Sequence, residues 1–271
     1  MLTLAFMTDL HFGPEARFEG KLRKLSHHAA RLTEEVVREL KETVKPELLV
    51  NLGDDIEDES YEADLERYRR CQALLKEGGA PVVNVAGNHD VIHLGKEELN
   101  ASWGRPREAP LHYSFDEGPF HFVVLHTLEK KDVDVSLPAA QLRWLEADLT
   151  ETQKPTVVFM HHPASEQDLT GNRWFAKAPH LALVRDRRAL RHIFEASRKV
   201  ELVVNGHVHW NHLDVIEGIP YVSVQSLIEN LDDDAPGRPA KAFAVARLEE
   251  RRITVHVHGE EPARYQFERR R

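Results

Sequence analysis

Five short segments of this chain place residues that can bind metal ions directly after an apolar, β-branched run. Residues 2–8 lead into Asp9 and His11, and residues 48–52 into Gly53-Asp54-Asp55. Residues 81–86 lead into Gly87-Asn88-His89-Asp90, residues 156–160 into His161-His162-Pro163, and residues 200–205 into Gly206-His207-Val208-His209. Carboxylates, an amide oxygen and imidazoles form a mixed oxygen and nitrogen donor set. Such a set suits manganese, iron, zinc or cobalt better than calcium. Each segment alone is weak. Asp-x-His is common, Gly-Asp is ordinary turn chemistry, and a His pair after a strand is more often a surface feature than a ligand pair. Their joint occurrence, each after an apolar run, is what points to chemistry. Glycine before Asp54, Asn88 and His207 is expected to let the strand end in a sharp turn.

These segments need a scaffold that brings strand ends together. Apolar runs alternate with amphipathic ones. Leu32, Val36, Val37, Leu40 and Val44 share one helical face, as do Leu142, Leu145 and Leu149 after Pro138. Further helices are expected over 61–78 and 186–198. The alternation predicts an α/β protein, in which ligands gather at the carboxyl ends of the strands. The later strands, 212–216, 220–225, 241–248 and 253–258, have only short turns between neighbours. They predict a second, more antiparallel sheet, packed face to face with the first and with helices outside. Loops are expected over 95–111, 129–137 and 229–240, with the acidic run Asp232-Asp233-Asp234 solvated. Residues 260–271 are expected as loop or tail. The long 163–184 connection carries Trp174 and Phe175 and is a candidate wall of a binding site. With no linker or repeat, residues 1–271 read as a single domain.

Composition narrows the function. Apolar residues make up 41% of the 271, enough for a sizeable core, and the net charge is −9. That charge speaks against a broad nucleic-acid footprint. The single Cys71 excludes an intrachain disulfide and reads as a packing residue. No secretory leader or membrane-length apolar run is evident, so a cytoplasmic protein is the expectation. Of the 17 histidines, His27, His28, His93, His112, His121, His126, His180, His192, His212, His256 and His258 read as surface or packing residues. P-loop, dinucleotide-binding and hydrolase-elbow patterns are absent.

The five segments together resemble the motif series of the calcineurin-like metallophosphoesterases. The similarity runs from Leu4 to about His258 and is closest to the small bacterial branch of class III cyclic-nucleotide phosphodiesterases and glycerophosphodiesterases. The resemblance implies a four-layer α/β/β/α sandwich of two mixed sheets with flanking helices. It implies two divalent or trivalent metal ions (manganese, iron, zinc or cobalt). Asp9, His11 and His209 would hold one, Asn88, His161 and His207 the other, and Asp54 would bridge them. A hydroxide shared by the metals would attack phosphorus, His89 would be the general acid, and Asn88, His89 and His162 would face the substrate. The expected substrate is a small phosphodiester of the cyclic nucleotide, glycerophosphodiester or nucleotide diphosphate type. A phosphomonoesterase on the same core and a catalytically silent metal-binding scaffold are the alternatives. The family often has Asp three residues after the bridging carboxylate. Here Glu57 stands there with Asp58 beside it, so which one orients His89 is open. Arg105 and Arg173 are candidates for a substrate phosphate.

Overall fold

The computed structural model describes residues 1–270. Its sixteen strands are, in chain order, β1 Leu2–Met7, β2 Ala16–Phe18, β3 Lys21–Lys24, β4 Leu48–Asn51, β5 Val82–Asn84, β6 Tyr113–Glu117, β7 Phe120–Val124, β8 Leu128–Lys130, β9 Asp134–Ser136, β10 Thr156–Phe159, β11 Val200–Asn205, β12 His212–Ile216, β13 Ile219–Ser223, β14 Phe243–Leu248, β15 Arg252–His258 and β16 Ala263–Glu268. Six helices intervene: α1 Ala29–Glu39, α2 Tyr61–Lys76, α3 Lys96–Trp103, α4 Ala139–Glu151, α5 Pro179–Ala182 and α6 Arg187–Ser197.

Twelve strands form two six-stranded sheets, ordered β16-β15-β14-β1-β4-β5 and β12-β13-β11-β10-β7-β6. In each, a parallel core is extended by antiparallel strands: β1, β4 and β5 run parallel, as do β7, β10, β11 and β13. Strand β1 shows why the runs are apolar throughout. Leu4 and Phe6 face the other sheet, where Phe6 meets Phe159 edge to face at 5.8 Å. Ala5 and Met7 face outward, into a cluster with Leu32 and Val36 of α1 and Leu75 of α2. On the far side, Leu145 of α4 and Phe194 of α6 cover Val158 and Val203. A strand buried on both faces needs side chains that are apolar at every position. The result is the four-layer α/β/β/α sandwich, with its inner core between the sheets.

The C-terminal strands depart from expectation. They form no sheet of their own. The β12–β13 hairpin joins one sheet through the parallel β11–β13 pair, and β14–β15 joins the other through β1. Of the expected 260–271 loop or tail, residue 271 lies outside the described residues and 260–270 are not simply a tail, because β16 pairs along β15 with Ala263, Tyr265 and Phe267 turned to the core. Two expected loops also contain structure. Helix α3 lies within 95–111, started where the Gly95 amide donates to Glu98 at 2.9 Å, and β8 pairs with β9 within 129–137. No helix among the described residues is long and apolar enough to cross a membrane.

His121, expected as a packing residue, ties β7 to its surroundings. Its Nδ1 lies 2.7 Å from Asp116 and its Nε2 2.8 Å from Asp148 of α4. The hydrogen bond with Asp148 raises its pKa above the ordinary value, Asp116 adds to this, and burial opposes it. A raised folded-state pKa means the stabilisation is fully present below the unfolded value of about 6.5 and is lost as pH rises through the folded value. His121→Gln is therefore expected to destabilise by about 1 kcal/mol in mildly acid solution, with the deficit shrinking above neutrality. Urea unfolding of both proteins across that pH range checks this; a deficit that grows with pH would contradict it.

Candidate metal centre

Because β1, β4 and β5 run the same way, residues 8–11, 52–55 and 85–90 leave the first sheet at one edge. Strands β10 and β11 bring residues 160–162 and 205–209 to that edge from the second sheet. The edges are stitched together. Asp9 Oδ2 accepts the His207 amide at 3.0 Å, and His161 Nδ1 donates to the Leu52 carbonyl at 2.9 Å. Within each sheet, the Asp9 amide donates to Gly53 at 2.9 Å and the Gly206 amide to His161 at 3.1 Å.

The backbone is strained where the side chains converge. Asp9, His11, Asp54, His207 and His209 all have positive φ, between 46° and 69°. Non-glycine residues adopt this region at a cost, Asp and His more readily than most, and five of them are gathered here. The neighbouring glycines serve two purposes, only one of them expected. Gly53 does turn with φ 97°, but Gly206 is required by close approach: a Cβ there would overlap Thr8 Oγ1 and Asp9 Oδ2.

The donor atoms form two adjoining groups. His11 Nε2 and His209 Nε2 are 3.2 Å apart, and Asp9 Oδ1 is 3.4 Å from His209 Nε2. In the second group, His161 Nε2 lies 3.1 Å from Asn88 Oδ1, and a ring nitrogen of His207 clusters with those of His161 and His162. Asp54 Oδ2 stands between the groups, 3.3 Å from His161 Nε2 and 3.8 Å from His11 Nε2. Asp9 Oδ1 is buried and has no hydrogen-bond partner. An orphaned carboxylate oxygen among imidazole nitrogens fits a bound cation.

Outer partners orient the rings, as expected of metal-binding histidines. His11 Nδ1 faces Glu57 at 3.1 Å, His209 Nδ1 faces Glu229 at 2.8 Å, and His207 Nε2 donates to the Leu181 carbonyl at 3.1 Å. The last contact turns Nδ1 of His207 toward the cluster, whereas the other rings present Nε2. Asp90 accepts the amides of Asp54, Asp55 and Gly87 at 2.8–2.9 Å and so clamps two strand-end loops. His89 donates Nδ1–H to Asp58 at 2.5 Å, while Glu57 is 3.9 Å away. Asp58 is therefore the partner of His89, and Glu57 serves His11.

Electrostatics follow from this geometry. Burial pushes the Asp9 carboxyl up, but the positive charge of the nearby His209 ring outweighs it and holds Asp9 at about 2. Asp54 is likewise held well below its usual range, with His161 overcoming burial. Against burial, Asp54 raises His161 to about 10, and Asp9 with Glu229 raises His209 to about 9. Burial, reinforced by Lys24, lowers His11 to about 4; burial lowers His162 to about 4 and holds His207 well below its ordinary value. The carboxylates thus draw positive charge to the place a metal ion would take.

All nine singled-out residues lie at this centre. His89 keeps 22% of its side chain exposed, whereas His162 is buried, with Nδ1 2.7 Å from the Thr127 hydroxyl. The eleven histidines set aside join no such cluster among the described residues. Neither candidate arginine reaches the site: Arg173 donates to the carbonyls of Asn230, Leu231 and Asp232, and Arg105 lies over the Tyr113 ring. Nor is the acidic run merely solvated, since Asp233 pairs with Lys21 and Asp234 accepts the Leu22 amide. The 163–184 connection does form a wall, with Trp174 5.2 Å from His209 and Phe175 4.6 Å from His207. Sequence reasoning missed Lys24 and Glu229. Neither sits in a motif, so no local pattern marked either one.

The calcineurin-like phosphoesterase family profile matches residues 2–211. A probable cyclic nucleotide phosphodiesterase of a Synechococcus strain is 30% identical over 216 residues, covering 77% of this chain and 73% of that protein. A 3′,5′-cyclic-nucleotide phosphodiesterase of a Nostoc strain is 25% identical over 210 residues, covering 77% and 71%. Among solved structures, a dimetal phosphatase from Danio rerio superposes with a TM-score of 0.78 at 19% identity, over 98% of this chain and 99% of that one. The last likeness is one of fold. With the profile spanning most of the chain, the protein belongs to the calcineurin-like phosphoesterase family and is a metal-dependent phosphoester hydrolase.

Proposed function

We propose that this chain hydrolyses small phosphodiesters, cyclic nucleotides among them, with two metal ions and His89 as general acid. The observation that carries the reading is the position of Asp54 Oδ2 between two donor groups, beside the one accessible imidazole of the centre. Asp9, His11 and His209 would hold one ion, Asn88, His161 and His207 the other, and Asp54 would touch both. When bound, the two ions would offset phosphoryl charge and supply a hydroxide nucleophile near neutral pH. Asp58 holds Nδ1 of His89, which leaves Nε2 to donate a proton to the departing oxygen. Asn88, also partly exposed, can donate its amide to a phosphoryl oxygen. Buried walls exclude water elsewhere. The diester reading also draws on the cyanobacterial relatives named for cyclic nucleotides. Phe18 and Trp174, with rings 5.2 Å apart at the rim, suit a nucleobase.

Metal loading should stabilise the fold. After chelation, adding manganese at about 100 times its dissociation constant should contribute about 2.7 kcal/mol, or roughly 5–10 °C in melting temperature. Asp9→Asn should lose most of that rise; a rise kept in full would remove Asp9 from the centre. Turnover on a diester and a monoester with the same leaving group tests the reaction. The diester should be preferred, and Asp54→Asn should abolish its hydrolysis. His89→Ala should lower kcat roughly 10²–10⁴-fold with metal content unchanged. Monoester preference would redirect the substrate class, and two bound metals without turnover of either would indicate a scaffold.

A further inference from the structure

Lys24, which closes β3, is nearly buried beside the acid. Its side chain is 5% exposed, and its Nζ donates to Glu57 Oε2 at 2.8 Å. The same Nζ lies 3.2 Å from His89 Nε2, 3.4 Å from His11 Nδ1 and 5.1 Å from the centre of the Trp174 ring. Its backbone is fixed. The hairpin is tied to the 228–234 segment by Leu25 N donating to Ile228 O at 3.0 Å and Asn230 N to Arg23 O at 2.8 Å.

An ammonium in so dry a place must be paired, and Glu57 provides the pairing. The ion pair alone does not explain where the charge points. Glu57 also accepts from the Nδ1–H of His11, so Lys24 is not its only partner. Lys24 has three donors; Glu57 takes one, and while the His89 ring is neutral another reaches its Nε2, a contact that gives way to a shared oxygen when Nε2 carries a proton. With Nδ1–H of His89 committed to Asp58, that Nε2 is the atom left to meet a departing oxygen. Two donors 3.2 Å apart can converge on one oxygen. An oxygen bound at His89 therefore falls within reach of Lys24.

We propose that Lys24 is a substrate-contacting residue that stabilises the leaving oxygen together with His89, and so fits this centre to diesters of unactivated alcohols, such as sugar or glyceryl esters. The inference rests on the phosphodiesterase reading. A hydroxide oxygen bonds to phosphorus as the bond from phosphorus to the leaving oxygen breaks. The electron pair goes to that oxygen, which takes the Nε2 proton of His89. Lys24 offsets the growing negative charge by hydrogen bonding and transfers no proton. Its help matters most where the leaving oxygen is most basic.

The test compares wild type, Lys24→Met, Lys24→Arg and His89→Ala on methyl phosphodiesters whose leaving groups run from nitrophenol to simple alcohols. Metal content and melting temperature are measured on the same samples. Lys24→Met should keep metal content and lose roughly 10²-fold in kcat on alkyl leaving groups, with little loss on nitrophenol. Lys24→Arg should recover part of it. In chelated protein, the nitrogen NMR signal of His89 Nε2 should shift in Lys24→Met, because its donor is gone. A loss equal across leaving groups, or a loss of metal, would make Lys24 structural and overturn the inference. Unchanged kcat on alkyl diesters would also overturn it. A wild type inactive on every diester but active on monoesters would sink the phosphodiesterase reading, and this inference with it.

Discussion

Two carboxylates, Asp9 and Asp54, lie where the strand ends of both sheets meet, with side chains 0% and 3% exposed. Uncompensated charges in such a place cost several kcal/mol each. The surrounding residues answer that cost. Imidazoles from both sheets converge on the carboxylates, and the Asp9 carboxylate caps the His207 amide across the gap between sheets. Asp54 in turn accepts the His89 amide at 2.9 Å. Without positive charge in the cluster this edge would repel itself. With it, five loops from distant parts of the chain are held as one unit. The chemistry of the centre and the closing of the sandwich at this edge are therefore the same electrostatic problem.

That problem explains the local strain. Side chains from neighbouring parallel strands diverge from a common point unless the backbone bends sharply at each strand end. Five residues here take the left-handed region to do so, which local preference disfavours. The cost must be met elsewhere, and the apolar core between the sheets is the reservoir. Phe6, Phe122 and Phe159 anchor the strands that carry Asp9 and His161. Asp90 works alongside them. Burial and the carboxylates of Asp55 and Asp54 push its own pKa well up, while the Gly87 amide opposes. It is retained because no apolar residue could accept those loop amides.

Legibility in the sequence followed the range of the interactions. Asp9, His11, Asp54, Asn88, His89, His161, His207 and His209 stood out because each follows its own apolar strand, a pattern contained in a few adjacent residues. The parallel core and its covering helices were legible through periodicity. Sheet membership of the C-terminal hairpins was not. Alternation in His212–Ile216 and Ile219–Ser223 announces that they pair with each other, but only the parallel contact of Val203 with Tyr221 decides which sheet they join. Strand β16 was hidden differently. Its alternation of Ala263, Tyr265 and Phe267 with charged or polar residues is a valid strand pattern, set in a highly charged end of the chain. Helix α3 lacked the usual Ser, Thr, Asp or Asn at its start, since Gly95 holds that place. Lys24 and His89 meet across 65 positions, and Trp174 and Glu229 across 55. No local pattern encodes such meetings.

The same division separates the parts of the centre by origin. Carboxylates and imidazoles come from strand ends, where the sheet fixes their positions. Lys24, Trp174 and Glu229 come from a hairpin and two connections laid over that edge. These covering segments bind one another: Asp234 accepts the Leu22 amide at 2.9 Å, and Trp174 donates to Glu229 at 3.0 Å. Glu229 then orients His209. The cover is thus coupled to the donor set rather than draped over it. Substituting in the cover therefore changes the surroundings of His89 and the orientation of the His209 ring together. The shift from the family's usual Asp to Glu57 has the same character. The longer side chain reaches both His11 and Lys24, and Asp58 takes over His89. The carboxylate that orients the His11 ring is thus also the partner that lets a lysine stay buried beside His89.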